Sequence, residues 1–366
     1  MFSVVIATND VVGERMAGPG IRAWHFAEEL SKHFPATLIG RLENPEAASF
    51  PVLQWRSAEA REAMAGASVL IGQPARRFRR MRPDQHIVFD LFDPVLLELR
   101  EMYGSRPSLR QRLHFLAEEM RLQRALNHGD LLIVATPNQR ELYERARDRI
   151  IEVPFGAESV GPPPSAAAAE GRGATPLILW GGGTWEWLDP KTAVEAVVRA
   201  NREGTPCHLV FLGRSRPNRA LIDRRRESRF DLLIASGTPY VSSNDEWVPY
   251  RQRLSWLLRS KIAMMLHRST AEARYSIRTR LFDAIAAATP VIATEEGFAA
   301  ELVAQQGLGL VVPPSDAVAV AAAIERLLRD DVFHAECVSN LERVRPQFAW
   351  PVVVRPLVER LKKWAS

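Results

Sequence analysis

The chain has 366 residues, 46% of them apolar and 25% charged, an ordinary globular composition too long for one typical core, so two domains are expected. No apolar run approaches the roughly 18 to 20 residues of a membrane span, and Cys207 and Cys337 form no metal or redox spacing. The net charge of +5 favours anionic partners, but no helix-turn-helix, zinc spacing or aromatic RNA-binding box accompanies it, which argues against nucleic acid.

Strands are predicted first at Phe2–Ala7, a buried opening strand rather than a signal peptide, since polar Thr8-Asn9-Asp10 follows too soon. A reduced, cytoplasmic setting fits this start and the two isolated cysteines. An amphipathic helix follows over Ile21–Phe34, with Ile21, Trp24, Ala27, Leu30 and Phe34 on one face. Further strands are predicted at Ala36–Gly40, Val69–Gly72, His86–Leu91, Leu131–Ala135 and Ile150–Val153. Alternating βα units of this kind make a mainly parallel sheet covered on both faces. Residues 157–176, rich in Pro, Gly and Ala, read as a linker between an N-terminal domain (1–156) and a second domain (177–346).

The pattern then restarts. Strands are predicted at Leu177–Trp180, His208–Leu212, Asp231–Ala235, Ile262–Leu266, Val291–Thr294 and Leu308–Val312. Helices are predicted at Lys191–Arg202, Arg251–Arg259, Arg278–Ala288 and Ala317–Arg329, and a last one at Trp350–Trp364 within a tail (347–366). The expected fold class is α/β, two Rossmann-like doubly wound domains facing a central cleft where ligands bind.

The most informative segment runs from Glu272 to Pro290. Ser276 is a suitable N-cap, and the helix it starts presents backbone N–H groups of Ile277, Arg278 and Thr279 suited to a diphosphate. Arg278 and Arg280 add guanidinium groups that grip phosphate oxygens. Asp283, about two turns in, can accept hydrogen bonds from ribose hydroxyls. The stretch Asp283–Thr294 resembles the donor-site helix and following strand of retaining family 4 glycosyltransferases, also called glycosyl transferases group 1. The resemblance implies a GT-B fold and transfer of a sugar, with retention, from a nucleoside-diphosphate donor. The family pattern carries two glutamates separated by seven residues. Here Asp283 occupies the second acidic position and Tyr275 the first, leaving Glu272, three residues earlier, to recognise the sugar.

Other segments fall in the order the resemblance implies. Gly18 and Gly20, after the first strand, match a glycine-rich loop facing the donor phosphates. Gly182 and Gly183, with Lys191 downstream, stand where the family places a glycine-arginine and a lysine, and Arg214 substitutes for the missing arginine. Trp185 offers a face for stacking on sugar, although packing is the commoner use of tryptophan. Asp90 and Asp93 stand where family members carry a histidine, and are candidates for contacting the sugar or deprotonating the acceptor; Asp93 before Pro94 also suits a helix cap.

The donor is expected as a co-substrate, with no cofactor and no metal, because no Asp-x-Asp triplet occurs. The acceptor is a glycan, a lipid-linked glycan or a small molecule, and the subgroup resembled is that of bacterial surface-polysaccharide and natural-product enzymes. Basic residues interleaved with Phe78 and Met81 in Arg76–Arg82 are candidates for peripheral contact with an anionic membrane, or for a solvated basic loop. A nucleotide-sugar epimerase or pseudo-glycosyltransferase on the same fold, and a non-catalytic donor-binding partner subunit, stay open. A nicotinamide oxidoreductase is disfavoured because Gly-x-Gly-x-x-Gly is absent.

Overall fold

The computed structural model describes residues 2–45, 47–76, 78–158, 175–213, 224–244 and 246–366, the side chains of 224–227 apart. The chain divides into two units, one of residues 1–156, 274–277 and 350–366, the other of 157–273 and 278–349. Most of the predicted linker and all of Arg214 lie outside the described residues.

The first unit is built on a seven-stranded parallel sheet in the order β3-β2-β1-β4-β5-β6-β7. Its strands are β1 (Val4–Gly13), β2 (Ala36–Glu43), β3 (Val52–Gln54), β4 (Val69–Gly72), β5 (His86–Asp90), β6 (Leu131–Val134) and β7 (Ile150–Glu152). β4 and β6 are buried along their whole length, as strands covered by helices on both faces must be. β1 runs six residues past its predicted end, carrying Thr8–Asp10 through a register shift between Ala7 and Val11. Short β3 was not predicted.

The helices of this unit are α1 (Gly18–Ser31), α2 (Ala58–Gly66), α3 (Val95–Tyr103), α4 (Leu109–His128) and α5 (Pro137–Leu142). Side-chain caps start three of them: Ser57 for α2, Thr136 for α5, and Ser108 with Gln111 in a reciprocal capping box for α4.

The second unit has a six-stranded parallel sheet, β10-β9-β8-β11-β12-β13. The strands are β8 (Leu177–Gly181), β9 (His208–Leu212), β10 (Val241–Ser243), β11 (Ile262–Met265), β12 (Val291–Thr294) and β13 (Gly309–Val312). Around it lie α6 (Pro190–Arg202), α7 (Arg224–Ser236), α8 (Tyr250–Arg259), α9 (Ala271–Tyr275), α10 (Thr279–Ala287), α11 (Gly297–Gln306), α12 (Ala317–Arg329) and α13 (Asp331–Val344). Asp231–Ala235, predicted as a strand, is the second half of α7. A five-residue apolar run does not distinguish strand from helix, and the strand falls instead at Val241–Ser243.

The tail returns to the first unit as α14 (Trp350–Val353) and α15 (Arg355–Ala365). The single helix predicted here is divided at Val354, because Pro356 has no N–H to continue the ladder. Trp350 stacks on His25 at 4.5 Å and meets Phe155 edge-on, and a side chain at Gly156 would collide with its ring.

Candidate functional site

In each sheet the strand order reverses beside the first strand, between β1 and β4 in one unit and between β8 and β11 in the other. Such switch points open a crevice at the carboxyl ends of the strands, where open α/β sheets bind ligands. In the second unit the loop Gly181–Gly183 leaves β8 there, and the segment carrying His267 and Glu272 leaves β11.

Arg280, in the first turn of α10, reaches this point. Its guanidinium lies over the Trp180 ring, 5.0 Å from the centroid, and its Cδ is 3.4 Å from where a Cβ on Gly182 would stand. Gly182 has φ +90°, a conformation that favours glycine, so the backbone path needs it, while Arg280 lies in ordinary van der Waals contact with the loop. Helix α10 begins at Thr279, with Arg278 rather than Ser276 at its cap and no side chain bonded there. Its opening N–H groups give this end of the helix a positive partial charge, and from its first turn the Arg280 side chain reaches the loop.

Near Arg280 lies a half-buried charged pair. Asp283 pairs with Arg253 at 2.9 Å, and Arg253 lies 4.5 Å over the Tyr250 ring. Burial pushes the Asp283 carboxyl up to about 6, Glu158 adds to the shift, and Arg253 and Arg280 oppose it. Asp283, expected at the ribose, thus already has a cation of its own.

Glu272 and Arg278 form a second pair, and this one is buried. The guanidinium donates to both carboxylate oxygens at 2.8 and 2.7 Å, with the side chains only 1% and 8% exposed. The Arg278 Nε has no hydrogen-bond partner. His267 sits beside this pair at the end of β11. Burial first, then the Arg278 charge, pulls its pKa down to about 4, so it is neutral at physiological pH. Arg278 and Glu272, expected at the diphosphate and the sugar, spend these bonds on each other.

The other predicted positions in this unit divide. Gly182 and Gly183 lie in the β8 loop, with the Gly183 carbonyl accepting from the Trp180 indole. Lys191 is exposed on the first turn of α6 and faces Glu195 at 3.5 Å. Trp185 is buried and stacks on Trp187 at 4.9 Å, so packing accounts for its ring.

In the first unit, Gly18 and Gly20 lie inside the first turn of α1 rather than in a loop. A side chain at Gly20 would collide with the Val11 carbonyl, so this glycine lets α1 pack on β1. Asp90 is not a free base: Arg22 grips both its oxygens at 2.7 and 3.2 Å and also donates to the carbonyls of Val153 and Pro154. Arg22 is itself buried between Phe26 and Phe92. Asp93 accepts from Gln73 at 3.3 Å and does not cap α3, whose cap is Pro94.

Tyr275, Ser276 and Ile277 belong to the first unit, apart from Glu272 and Arg278. Ser276 and Ile277 are buried, and the Tyr275 hydroxyl donates to Glu141 at 3.3 Å. Among the described residues of the run Arg76–Arg82 only Phe78 is buried, and two of the arginines are held by acids. Phe78 is buried against Phe89, Arg80 grips Asp130, and Arg82 meets Asp84; Arg77 lies outside the described residues. Among the described residues no helix is long and apolar enough to cross a membrane.

Residues 175–330 match the family model described as glycosyl transferases group 1. A sucrose-phosphate synthase from Thermosynechococcus elongatus superposes with a TM-score of 0.72 at 18% identity, covering 100% of both chains. WaaG, a glycosyltransferase involved in lipopolysaccharide biosynthesis, superposes at 0.70 with 14% identity, over 98% of this chain and 99% of that one. Anabaena Alr3699/HepE, solved in complex with UDP-glucose, superposes at 0.72 with 12% identity, over 99% and 100%.

The chain has the GT-B fold. No curated protein matches the sequence. At these identities the superpositions speak for the GT-B architecture, while the family match falls on the unit that carries Arg280 and the glycine loop.

Sequence reasoning missed three residues of these groups. Arg22 and Arg253 act through partners 68 and 30 residues away, a separation no local pattern reveals. His267 had a usable signal, its position just after a switch-point strand.

Proposed function

We propose that the protein is a glycosyltransferase that takes a sugar from a nucleoside-diphosphate donor and passes it, with retention, to a glycan, lipid-linked or small-molecule acceptor. The observation that carries this is the packing of Arg280 against the Gly182 loop at the start of α10. A departing diphosphate gains negative charge as the sugar becomes oxocarbenium-like. A guanidinium and fixed N–H donors already aimed at that place stabilise the charge without reorganising. The family match over residues 175–330 supports the same chemistry.

In this reading Arg280, Thr279, Gly182 and Gly183 hold the diphosphate, with Lys191 and Arg214 as helpers. Asp283 and the Glu272–Arg278 pair set the ribose and sugar end, and Asp93, which accepts from Gln73, contacts the sugar or acceptor. No resident cofactor or metal enters it. The protein works in the cytoplasm.

The test is calorimetric titration with UDP, GDP, dTDP and ADP and their sugars. One of these should bind, and Arg280→Ala should weaken it about 10- to 100-fold, the worth of charge-assisted hydrogen bonds. Binding by none of them, or equal binding to the variant, would overturn the assignment. A donor-binding partner subunit gains one specific support, the loss of Asp90 to Arg22. Donor binding without hydrolysis or transfer would decide for it.

A further inference from the structure

Helix α4 carries an apolar face on its outer side. Leu109, Leu113, Leu116 and Met120 follow at spacings of four, three and four, which puts them within about 40° of one line along the helix. They are 74%, 59%, 51% and 64% exposed. The opposite side of the same helix is the one that folds the unit: Ala125 is buried in the core, with Leu122 and Leu126 packed against it. The helix therefore has two apolar faces, and only one has a partner among the described residues.

The charges beside the outer face are mostly basic, with exposed Glu119 standing next to Arg112 on one side. Arg112 flanks the stripe on one side, and Arg124 and Arg110 flank it on the other; all three are exposed. Between positions 106 and 128 five arginines face two glutamates, and one of those, Glu118, is engaged by Arg121 and His114. The capping box at Ser108 holds the start of the helix, so about 17 Å of preformed apolar face is presented from Leu109 to Met120.

We infer that the outer face of α4 docks on an anionic lipid bilayer, with the four apolar side chains in the acyl boundary and the arginines at the headgroups. A straight stripe rimmed by guanidinium groups with long aliphatic stems matches an interfacial helix lying in the membrane plane. A second copy of the chain fits less well, because three of the four charges beside the stripe are arginines and a helix pair needs opposite charges on both flanks. The inference is independent of which sugar is moved, and it places membrane contact on α4 rather than on Arg76–Arg82.

The test is sedimentation of the full chain with phosphatidylcholine vesicles, with and without roughly a third of phosphatidylglycerol. Binding is expected to the anionic vesicles and to fall with salt. Leu113→Gln with Leu116→Gln should weaken it about 100-fold, at roughly tenfold for each leucine buried. Arg112→Gln with Arg124→Gln should weaken it about 25-fold, at roughly fivefold for each arginine. Both pairs are exposed, and unchanged circular dichroism would confirm that they fold. Arg76→Gln with Arg79→Gln should leave binding unchanged. Vesicle binding untouched by the α4 variants, binding lost only with Arg76 and Arg79, or concentration-dependent dimerisation abolished by the leucine pair would each overturn the inference.

Discussion

Replacing Glu272 by Ala should unfold the protein more readily than any surface change, and the reason is the state in which it leaves Arg278. In the native protein that guanidinium is 8% exposed, makes two short bonds to Glu272, and already has an Nε with no hydrogen-bond partner. Removing the carboxylate strands a buried cation, which costs about 3–5 kcal/mol. For a unit of this size each kcal/mol lowers Tm by about 2–4 °C, so a fall of roughly 6–20 °C is expected in scanning calorimetry. Removing both partners, Glu272→Leu with Arg278→Met, leaves no stranded charge and should cost less than Glu272→Ala alone. Nucleotide binding measured on the double variant then separates a frame role from a ligand role. A loss below about 1 kcal/mol for Glu272→Ala, the worth of an exposed pair, would refute the reasoning.

Three further outcomes follow from the same geometry. His267, held near 4, has a lowered pKa, so its contribution to stability is full above its unfolded pKa and is lost as pH falls through 4; Asp283, held near 6, has a raised pKa, so its contribution is full at low pH and is lost as pH rises through 6. Each is worth on the order of 3 kcal/mol, and the two oppose each other between pH 4 and 6. Denaturant titrations should show little slope from this pair in the wild type, while His267→Gln should become markedly less stable as pH rises through that window; an unchanged slope would count against both shifts. Gly20→Ala should destabilise by about 1–3 kcal/mol in urea titration, because its Cβ meets the Val11 carbonyl, with donor affinity unaffected. Trp185→Ala should cost about 3–5 kcal/mol through the lost Trp187 stack; a loss of sugar-dependent affinity with stability intact would instead return it to the sugar.

The strands were legible because they are buried on both faces and read as continuous apolar runs. β4, β9 and β12 begin and end at their predicted residues. The edge strands β3 (Val-Leu-Gln) and β10 (Val-Ser-Ser) carry polar residues and leave no continuous apolar run, and the run that displaced β10 was half of a helix. At the site, the positive helix start and the glycine loop could be read locally, because backbone donors and close approach depend on neighbours in sequence. Which arginine serves which group could not. Arg278 and Arg280 are two residues apart on the same short motif, yet one turns to Glu272 and the other to Trp180 and Gly182, a division made by packing. Asp90 was misplaced for the same reason, since its partner Arg22 lies opposite the apolar face read for α1 yet is buried as well.

The return of residues 350–366 to the first unit sets an order of events during synthesis. Trp350 covers His25 and Phe155, but the ribosome must build the second unit before it reaches that residue. At about 5–20 residues per second the nascent first unit waits roughly 10–40 s with that surface bare. For this chain, the first half to emerge is therefore the last to be completed.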